Sequence, residues 1–296
     1  MGGHLMSTIS SSTTSTTAYK VTADTTGTLV IQTGATPTTA VTVGTDQSVT
    51  MAGNLSVTGT TTTTGYINVP NTFGFKNRII NGAMVIDQRN AGASVTGNDG
   101  VFSVDRWVSY VGASSKFTMQ QSSTAPAGFK NSVLITSSAA TSLAAGDYYV
   151  FQQTVEGLNV SDFNLGTANA VTFTISFWVR SSLTGTFSGS VKNKATGADR
   201  SYPFTYTINS ANTWEQKTVT VAGDTTGTWL TTNGAGLCVD FSLGTGTTYS
   251  GTANAWAGTN YLAATGTGSI VGTNGATWYI TGVQLEKGST ATSFDY

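Results

Sequence analysis

The chain has 296 residues, of which only 9 % are charged, and its 13 basic and 14 acidic side chains give a net charge of −1. This balance excludes the basic phosphate-binding surface that nucleic-acid recognition requires. Because 39 % of the residues are hydrophobic and 10 % are aromatic, the composition also excludes a highly charged disordered chain. Short apolar runs separated by 35 glycines predict strands joined by turns, and no run approaches the roughly 18 apolar residues of a membrane span.

Residues 1–23 form a Ser- and Thr-rich tract with almost nothing to bury. This composition predicts a flexible arm that serves for attachment. The stretch from Met1 to Thr17 has neither the basic start nor the apolar centre of a secretion signal, so we expect no export by that route. Met1–Leu5 fits either a cloning remnant or the natural start.

Residues 24–65 carry four short runs in which apolar and polar residues alternate. The apolar members are Leu29 and Ile31, Val41 and Val43, Val49 and Met51, and Leu55 and Val57. Alternation with a period of two makes each strand apolar on one side only. These side chains are too few to offset the entropy lost by ordering the segment, so the apolar faces need partners. The same strands of other copies are the simplest partners, which predicts an intertwined β-repeat shaft and a homotrimer.

Residues 66–296 have the alternation expected of a β-sandwich core. Alternating segments cover 101–111, 115–121, 132–136, 147–155, 171–179, 187–192, 204–208, 219–221, 237–243 and 276–286. Gly282 lies where the apolar phase of the last segment switches, which predicts a β-bulge. Only Glu156 to Leu165 predicts a helical turn. About ten strands with glycine turns predict a single all-β domain of jelly-roll type.

Residues able to support catalysis are sparse. The one histidine, His4, lies in the N-terminal tract, so no Ser-His-Asp or Cys-His arrangement can form in the core. Cys238 alternates with core residues, and we expect an inert, half-buried side chain. The chain lacks the His/Cys clusters of zinc sites and the carboxylate runs of calcium sites, so we expect no metal and no cofactor.

Glycoside hydrolysis requires only two suitably placed carboxylates. Candidates are Asp147, Glu156, Glu215, Asp224 and Asp240. Their spacing pairs none of them, and turn or ion-pair roles account for them more simply, so the sequence predicts a protein that is not an enzyme.

Arg106 has an unexpected place for a cation, because a strand over this segment puts it in phase with Val104 and Val108. One interpretation is an ion pair, or a stack on Trp107, at the seam of the sandwich. The other is an arginine that faces a ligand.

An ordered set of motifs resembles the C-terminal domain of tail-fibre and receptor-binding proteins of tailed bacteriophages. The motifs are Asn77-Arg-Ile-Ile-Asn-Gly82, Asp87-Gln-Arg-Asn90, Val104-Asp-Arg-Trp107, Ser176-Phe-Trp-Val-Arg180, Gly223-Asp-Thr-Thr-Gly-Thr-Trp229 and Tyr279-Ile-Thr-Gly-Val-Gln-Leu-Glu-Lys-Gly288. Asp24-Thr-Thr-Gly-Thr-Leu-Val-Ile31 and Gly53-Asn-Leu-Ser-Val-Thr-Gly59 are similar to the shaft repeats of those fibres. The sandwich also resembles the galactose-binding-type jelly roll of many carbohydrate-binding modules.

The resemblance, over about residues 20–296, implies a virion fibre assembled in the host cytoplasm and released by lysis. Its arm would attach to other virion proteins, and its sandwich would bind a host polysaccharide or lipopolysaccharide, without nucleic acid or membrane insertion. A head fibre or capsid decoration protein of the same architecture is an alternative, and so is a polysaccharide depolymerase.

The resemblance transfers no site, so we looked for aromatic residues outside the alternating core pattern, since sugars stack on exposed rings flanked by amides and carboxylates. Residues 244–275 form a long Gly/Thr/Asn loop region of the kind that often carries function. The candidate ligand-binding residues are Trp256, Tyr261, Asn254, Asn260 and Tyr249 of this loop, with Asp224 and Trp229 from a glycine-bounded turn. In the alternative, Trp256 and Tyr261 fold back to cap the sandwich or pack on a neighbouring subunit.

Overall fold

The computed structural model describes residues 28–33, 38–46, 48–52, 76–194 and 200–296. The chain divides into two compact units, Met1–Asn68 and Val69–Tyr296. The predicted arm, residues 1–23, and the predicted strand at Leu55 and Val57 lie outside the described residues. The domain boundaries after residues 23 and 65 stay predictions.

The first unit contains a three-stranded antiparallel sheet of β1 (Leu29–Thr33), β2 (Thr38–Val43) and β3 (Val49–Met51), in that order. These strands confirm three of the four predicted in this region. The register places Ile31, Val41 and Met51 in one cross-strand row and Leu29, Val43 and Val49 in the next. Paired residues share a side of the sheet, so these six apolar side chains form one face, which we call the shaft face. Within one chain Ile31, Val49 and Met51 are exposed on it.

The second unit is almost entirely β-structure. Its strands are β4 (Val95–Thr96), β5 (Val101–Phe102), β6 (Trp107–Val111), β7 (Phe117–Ser122), β8 (Ser132–Ser137), β9 (Tyr148–Glu156), β10 (Phe173–Ser181), β11 (Gly185–Lys192), β12 (Ser201–Ile208), β13 (Glu215–Val221), β14 (Ala235–Thr245), β15 (Ser250–Gly251), β16 (Ala263–Ala264) and β17 (Thr277–Lys287). A four-residue helix, α1 (Gly157–Val160), continues into a 3₁₀ turn at Ser161–Phe163, as predicted for this stretch. A second 3₁₀ turn spans Thr247–Tyr249. Within the described ranges no helix is long and apolar enough to cross a bilayer.

Two six-stranded antiparallel sheets form the sandwich, and the predicted all-β, jelly-roll fold class is confirmed. The first sheet has the order β13-β10-β17-β8-β7-β4, and the second has the order β12-β11-β14-β9-β6-β5. The predicted bulge is also confirmed, because the register between β10 and β17 shifts where Gly282 adopts a φ of 61°. An added Cβ there would lie 2.6 Å from the Phe129 ring, so glycine is required for both conformation and space.

The segment 101–111 is a correction, since the sequence predicts one strand and the structure has two. β5 and β6 pair as a hairpin, with Phe102 opposite Val108. Arg106 lies in the intervening turn with a φ of 75°, so strand phase does not determine its direction. Polar residues and a tight connection override the apolar alternation here.

Aromatic rings join the two sheets at the centre of the sandwich. Trp107 and Phe151 of the second sheet stack with their centroids 5.1 Å apart, and Trp278 of the first sheet lies 5.8 Å from Phe241 and 6.4 Å from Phe151. The indole of Trp278 donates a hydrogen bond to the Tyr206 hydroxyl at 3.2 Å, and burial raises the pKa of that hydroxyl. All five rings are buried, so the inner faces of the two sheets pack against each other through an aromatic core.

The outer face of the second sheet is polar, yet much of it is buried. Residues 247–268, which we call the strap, lie across it and include the short parallel pair β15–β16. Hydrogen bonds hold the strap in place, from the Ser201 hydroxyl to the Thr259 carbonyl at 2.6 Å and between the Ser188 and Thr267 hydroxyls at 2.8 Å. The predicted loop region therefore contains ordered strands and covers a sheet.

A carboxylate closes the connection between β12 and β13. Glu215 accepts hydrogen bonds from the Asn209 and Ser210 amides at 2.8 and 2.9 Å, and from the Lys217 ammonium at 2.6 Å. Partial burial on its own would raise the pKa of Glu215, but these donors outweigh it and lower the pKa to about 2.

We predict that Glu215 makes stability fall in acid. Because its pKa is lowered on folding, its stabilising contribution is complete above the ordinary value of 4.5 and is lost as the pH falls towards about 2. The thermal midpoint of Glu215→Gln should therefore fall less steeply over this range than that of the unmodified protein. Asp295→Asn, which removes an exposed carboxylate, is the matched control, and parallel curves for Glu215→Gln and the unmodified protein would contradict the assignment.

Candidate functional site

A cavity of about 210 Å³ opens on the outer face of the second sheet beside the strap. It is lined by Tyr110, Tyr148, Val150, Gln152, Lys192, Lys194, Tyr249, Asn260 and Leu262. Because three tyrosines contribute to its walls, we call it the tyrosine cavity.

Two of the tyrosine rings meet at one wall. Tyr148 and Tyr249 lie edge to face with centroids 5.0 Å apart. An added Cβ at Gly112 would lie 2.4 Å from Tyr148 Cε1, so glycine on the adjacent strand end leaves room for this ring. Burial raises the pKa of Tyr148, and the negative charge of Asp99 raises it further, so the hydroxyl stays protonated and able to donate at neutral pH.

Two lysines also line the cavity. Lys192 ends β11, and its ammonium lies 3.4 Å from a carboxylate oxygen of Asp240 and 3.3 Å from the side-chain oxygen of Asn260. Lys194 lies two residues further on, with its ammonium 4.9 Å from the centre of the Tyr110 ring. A cation over the face of a tyrosine holds that ring in place and keeps positive charge at the rim.

A buried charge lies behind the cavity lining. Asp240 is 0 % exposed, and one of its oxygens accepts a hydrogen bond from the Gln152 amide. Among the described residues, the second oxygen has no hydrogen-bond partner, and Lys192 forms its salt bridge. A carboxylate in such a place is costly, and a stability role alone would be filled as well by apolar residues. The salt bridge holds the Lys192 ammonium next to the cavity.

The predicted site residues do not form one site in the structure. Tyr249 and Asn260 line the tyrosine cavity. Trp256 and Tyr261 line a more polar cavity of about 500 Å³, the strap cavity. Its other lining residues are Ser250, Gly251, Thr252, Ala255, Ala257 and Thr265. Asn254, Asp224 and Trp229 line neither cavity.

Trp256 has contacts that fit the alternative of a packing residue. Its indole donates to the Ala222 carbonyl at 2.7 Å, and its ring lies 5.3 Å from Tyr202 and 5.5 Å from Trp229. Both tryptophans pack against the core from the side. Binding roles for Trp256, Tyr261, Asn254 and Trp229 stay predictions.

Asp224 is held inside the fold. It is 2 % exposed, and its oxygens accept hydrogen bonds from Arg200 at 2.6 and 2.9 Å and from the Thr226 amide at 3.1 Å. The hydrogen bonds that Arg200 donates to Asp224 raise the pKa of Arg200, as expected for a bidentate pair. Both carboxylate oxygens of Asp224 have hydrogen-bond partners within the chain. A role for Asp224 in sugar binding stays a prediction.

The structure confirms the ion-pair interpretation of Arg106, whereas the ligand-facing interpretation stays a prediction. The Arg106 guanidinium pairs with Glu156 at 2.7 Å, which confirms the ion pair, and donates to the Thr154 carbonyl at 3.2 Å. It also lines a small cavity of about 160 Å³ that shares Tyr110 with the tyrosine cavity. The remaining lining residues are Phe102, Val108, Thr154 and Glu156.

Cys238 is more buried than predicted. It is 0 % exposed on the outer face of β14, and its sulfur lies 3.3 Å from the Thr154 hydroxyl. Burial raises the pKa of the thiol to about 11, which keeps it protonated and unreactive. Among the described residues, no group of three or more His, Cys, Asp or Glu side chains could hold a metal ion.

Sequence reasoning missed most of the cavity wall, namely Tyr110, Tyr148, Gln152, Lys192 and Lys194. The outward-facing residues of β9 and β14 could have indicated this site. The residues between the core positions of these strands are Tyr148, Val150, Gln152 and Thr154, and Cys238, Asp240 and Ser242. Their mixture of aromatic, amide and carboxylate groups differs from the Thr-rich outer positions of other strands and marks a specialised face.

No family model matches this chain, and no curated protein matches it significantly. Solved structures that resemble it include the enzymatically active domain of tailspike protein 4 of bacteriophage CBA120, with 13 % identity and a TM-score of 0.40 over 71 % of this chain and 21 % of that chain. A family 11 carbohydrate-binding module from Clostridium thermocellum, solved with a mixed-linked tetrasaccharide, has 12 % identity and a TM-score of 0.36 over 66 % and 97 % of the two chains.

The N-terminal cellulose-binding domain of a Cellulomonas fimi glucanase has 12 % identity and a TM-score of 0.31 over 68 % of this chain and 99 % of that chain. This chain spans about a fifth of the tailspike structure. At these scores and identities, the likenesses assign neither a family nor a ligand to this chain.

We predict that Trp256→Ala destabilises the sandwich. The ring is half-buried, so the loss should be about 2 kcal/mol, below the roughly 3–5 kcal/mol of a fully buried aromatic residue. Chemical denaturation measures this loss, and Trp256→Phe should restore part of it. Unchanged stability together with lost glycan binding would instead make Trp256 a platform for a sugar.

Proposed function

We propose that this protein binds a glycan and that the tyrosine cavity is the binding site. The observation that carries the proposal is the buried Asp240–Lys192 pair beneath a cavity walled by three tyrosines. A buried ion pair adds little to stability, so its presence under an open aromatic cavity is explained best by recognition of a polar ligand.

The chemistry of the walls suits a sugar. A sugar ring has flat apolar faces bordered by hydroxyl groups, so it requires both ring surfaces and hydrogen-bonding groups. The rings of Tyr110, Tyr148 and Tyr249 supply the first. The Tyr148 hydroxyl, the Asn260 amide and the Lys192 ammonium supply the second, and Asn260 and Lys192 are already held in contact at 3.3 Å. A preformed polar set reduces the entropy lost on binding.

We further propose that the chain is a bacteriophage virion fibre. Its sandwich would bind a host polysaccharide or lipopolysaccharide without cleaving it. The support is the ordered set of sequence motifs from Asn77 to Gly288 and the fibre-like repeats before them. The shaft face supports self-association into a homotrimer, because six aligned apolar side chains on a thin sheet require a cover. Residues 1–23 would attach the fibre to other virion proteins.

We predict that Tyr249→Ala weakens binding to host-surface polysaccharide by about tenfold or more, the loss expected when an aromatic anchor is removed. The measurement is titration of purified polysaccharide with the full chain. Tyr279→Ala is the matched control, since that tyrosine lies on the first sheet against Trp214 and Arg180. Equal binding by Tyr249→Ala and the unmodified chain would refute the site, and release of new reducing ends would favour a depolymerase.

We predict a mass near three times 30.5 kDa by light scattering. Val49→Asp, on the shaft face, should lower the mass to that of one chain while the sandwich stays folded. Its neighbour Thr50 pairs with Thr42 on the opposite face, so Thr50→Asp should leave the mass unchanged. A mass of one chain for the unmodified protein would remove the trimer from the proposal.

A further inference from the structure

Positive charge is concentrated on one side of the tyrosine cavity. The whole chain has only 13 basic residues, yet Lys192 and Lys194 both line this one cavity. Lys192 is the last residue of β11, and Lys194 lies two residues beyond the strand end. In the described part of the chain, no carboxylate lines the cavity with them.

The charges beneath and around the cavity do not cancel this excess. Asp240 lies behind the lining and pairs with Lys192, which offsets one of the two ammonium groups. Lys194 lies over the Tyr110 ring and makes no ion pair with a described carboxylate. Asp99 lies close enough to Tyr148 to raise its pKa, but it does not line the cavity. The side chains that line the cavity therefore include two cations and no described anion, while Asp240 and Asp99 lie behind the lining.

We infer that the tyrosine cavity selects a glycan unit that carries a carboxylate, such as a uronic acid or a nonulosonic acid. The inference rests on the proposed function and adds the ligand class. The sugar ring lies against Tyr148 and Tyr249, and its carboxylate points to Lys194, away from Asp99. A neutral sugar would leave the Lys194 charge without a counter-charge, so the acidic unit gains an attraction that the neutral unit lacks.

A matched pair of probes isolates the carboxylate. Oligogalacturonate, oligoglucuronate and oligomers of N-acetylneuraminic acid are each compared with their carboxyl-reduced forms, which keep the chain and lose only the charge. Titration of the full chain at low salt should give affinity about tenfold higher for at least one acidic probe than for its reduced form. The difference should shrink as salt is added, because exposed charges are screened.

Two variants locate the effect. Lys194→Gln should abolish the difference between an acidic probe and its reduced form, with thermal stability unchanged because the side chain is exposed. Lys130→Gln removes an equally exposed lysine from the turn between β7 and β8 and should leave the difference intact. Tyr249→Ala should weaken the acidic and the reduced probe together.

The outcomes separate this inference from the proposed function. Reduced probes that bind as tightly as acidic ones, with loss of both in Tyr249→Ala, overturn the acidic preference and leave the glycan site standing. Acidic binding that survives Lys194→Gln and Tyr249→Ala places the charge recognition elsewhere and also overturns the inference. If neither class of probe binds and Tyr249→Ala binds host polysaccharide normally, both proposals fall.

Discussion

The contact between Trp278 and the rings of Phe151 and Phe241 is the constraint on which the sandwich depends. It fixes the distance between the two sheets and commits one side of every central strand to the core. Since side chains alternate along a strand, each aromatic residue placed inward determines that its neighbours face outward. On the second sheet those neighbours include Gln152 and Asp240, so the packing of the core decides which groups remain for a site.

The outer face of the second sheet buries polar side chains, which costs free energy of folding. Ser188, Ser190 and Asp240 are buried there, where apolar residues would pack with fewer unmet polar groups. The strap covers part of this face and leaves an opening between its first turn and the strand ends. The balance between Asp240 and Lys192 then sets the charge of the opening. Polar burial and an open aromatic wall at one place are the physical basis for assigning recognition to it.

Much of the fold could be predicted, because alternation is a local property that the core enforces. The strands over 171–179 and 237–243, the helical turn after Glu156 and the bulge at Gly282 follow from patterns of a few residues. The prediction of one strand over 101–111 was wrong for a different reason. The side chains keep alternating between apolar and polar, but the backbone turns at Arg106 and forms a hairpin of two strands. The loop region at 244–275 could be marked by its composition, but its packing across a sheet could not.

The sequence by itself determined an all-β chain, a shaft region with one-sided strands, and a loop containing Tyr249 and Asn260 as candidates for a site. Only the tertiary structure decided that these two residues meet Tyr110, Tyr148 and Lys192. The reason is that strands distant in sequence become neighbours through sheet order, and the sheet order is set by the packing of the whole core. Periodicity states which side of a strand faces inward, whereas the composition of a cavity depends on which strands lie side by side.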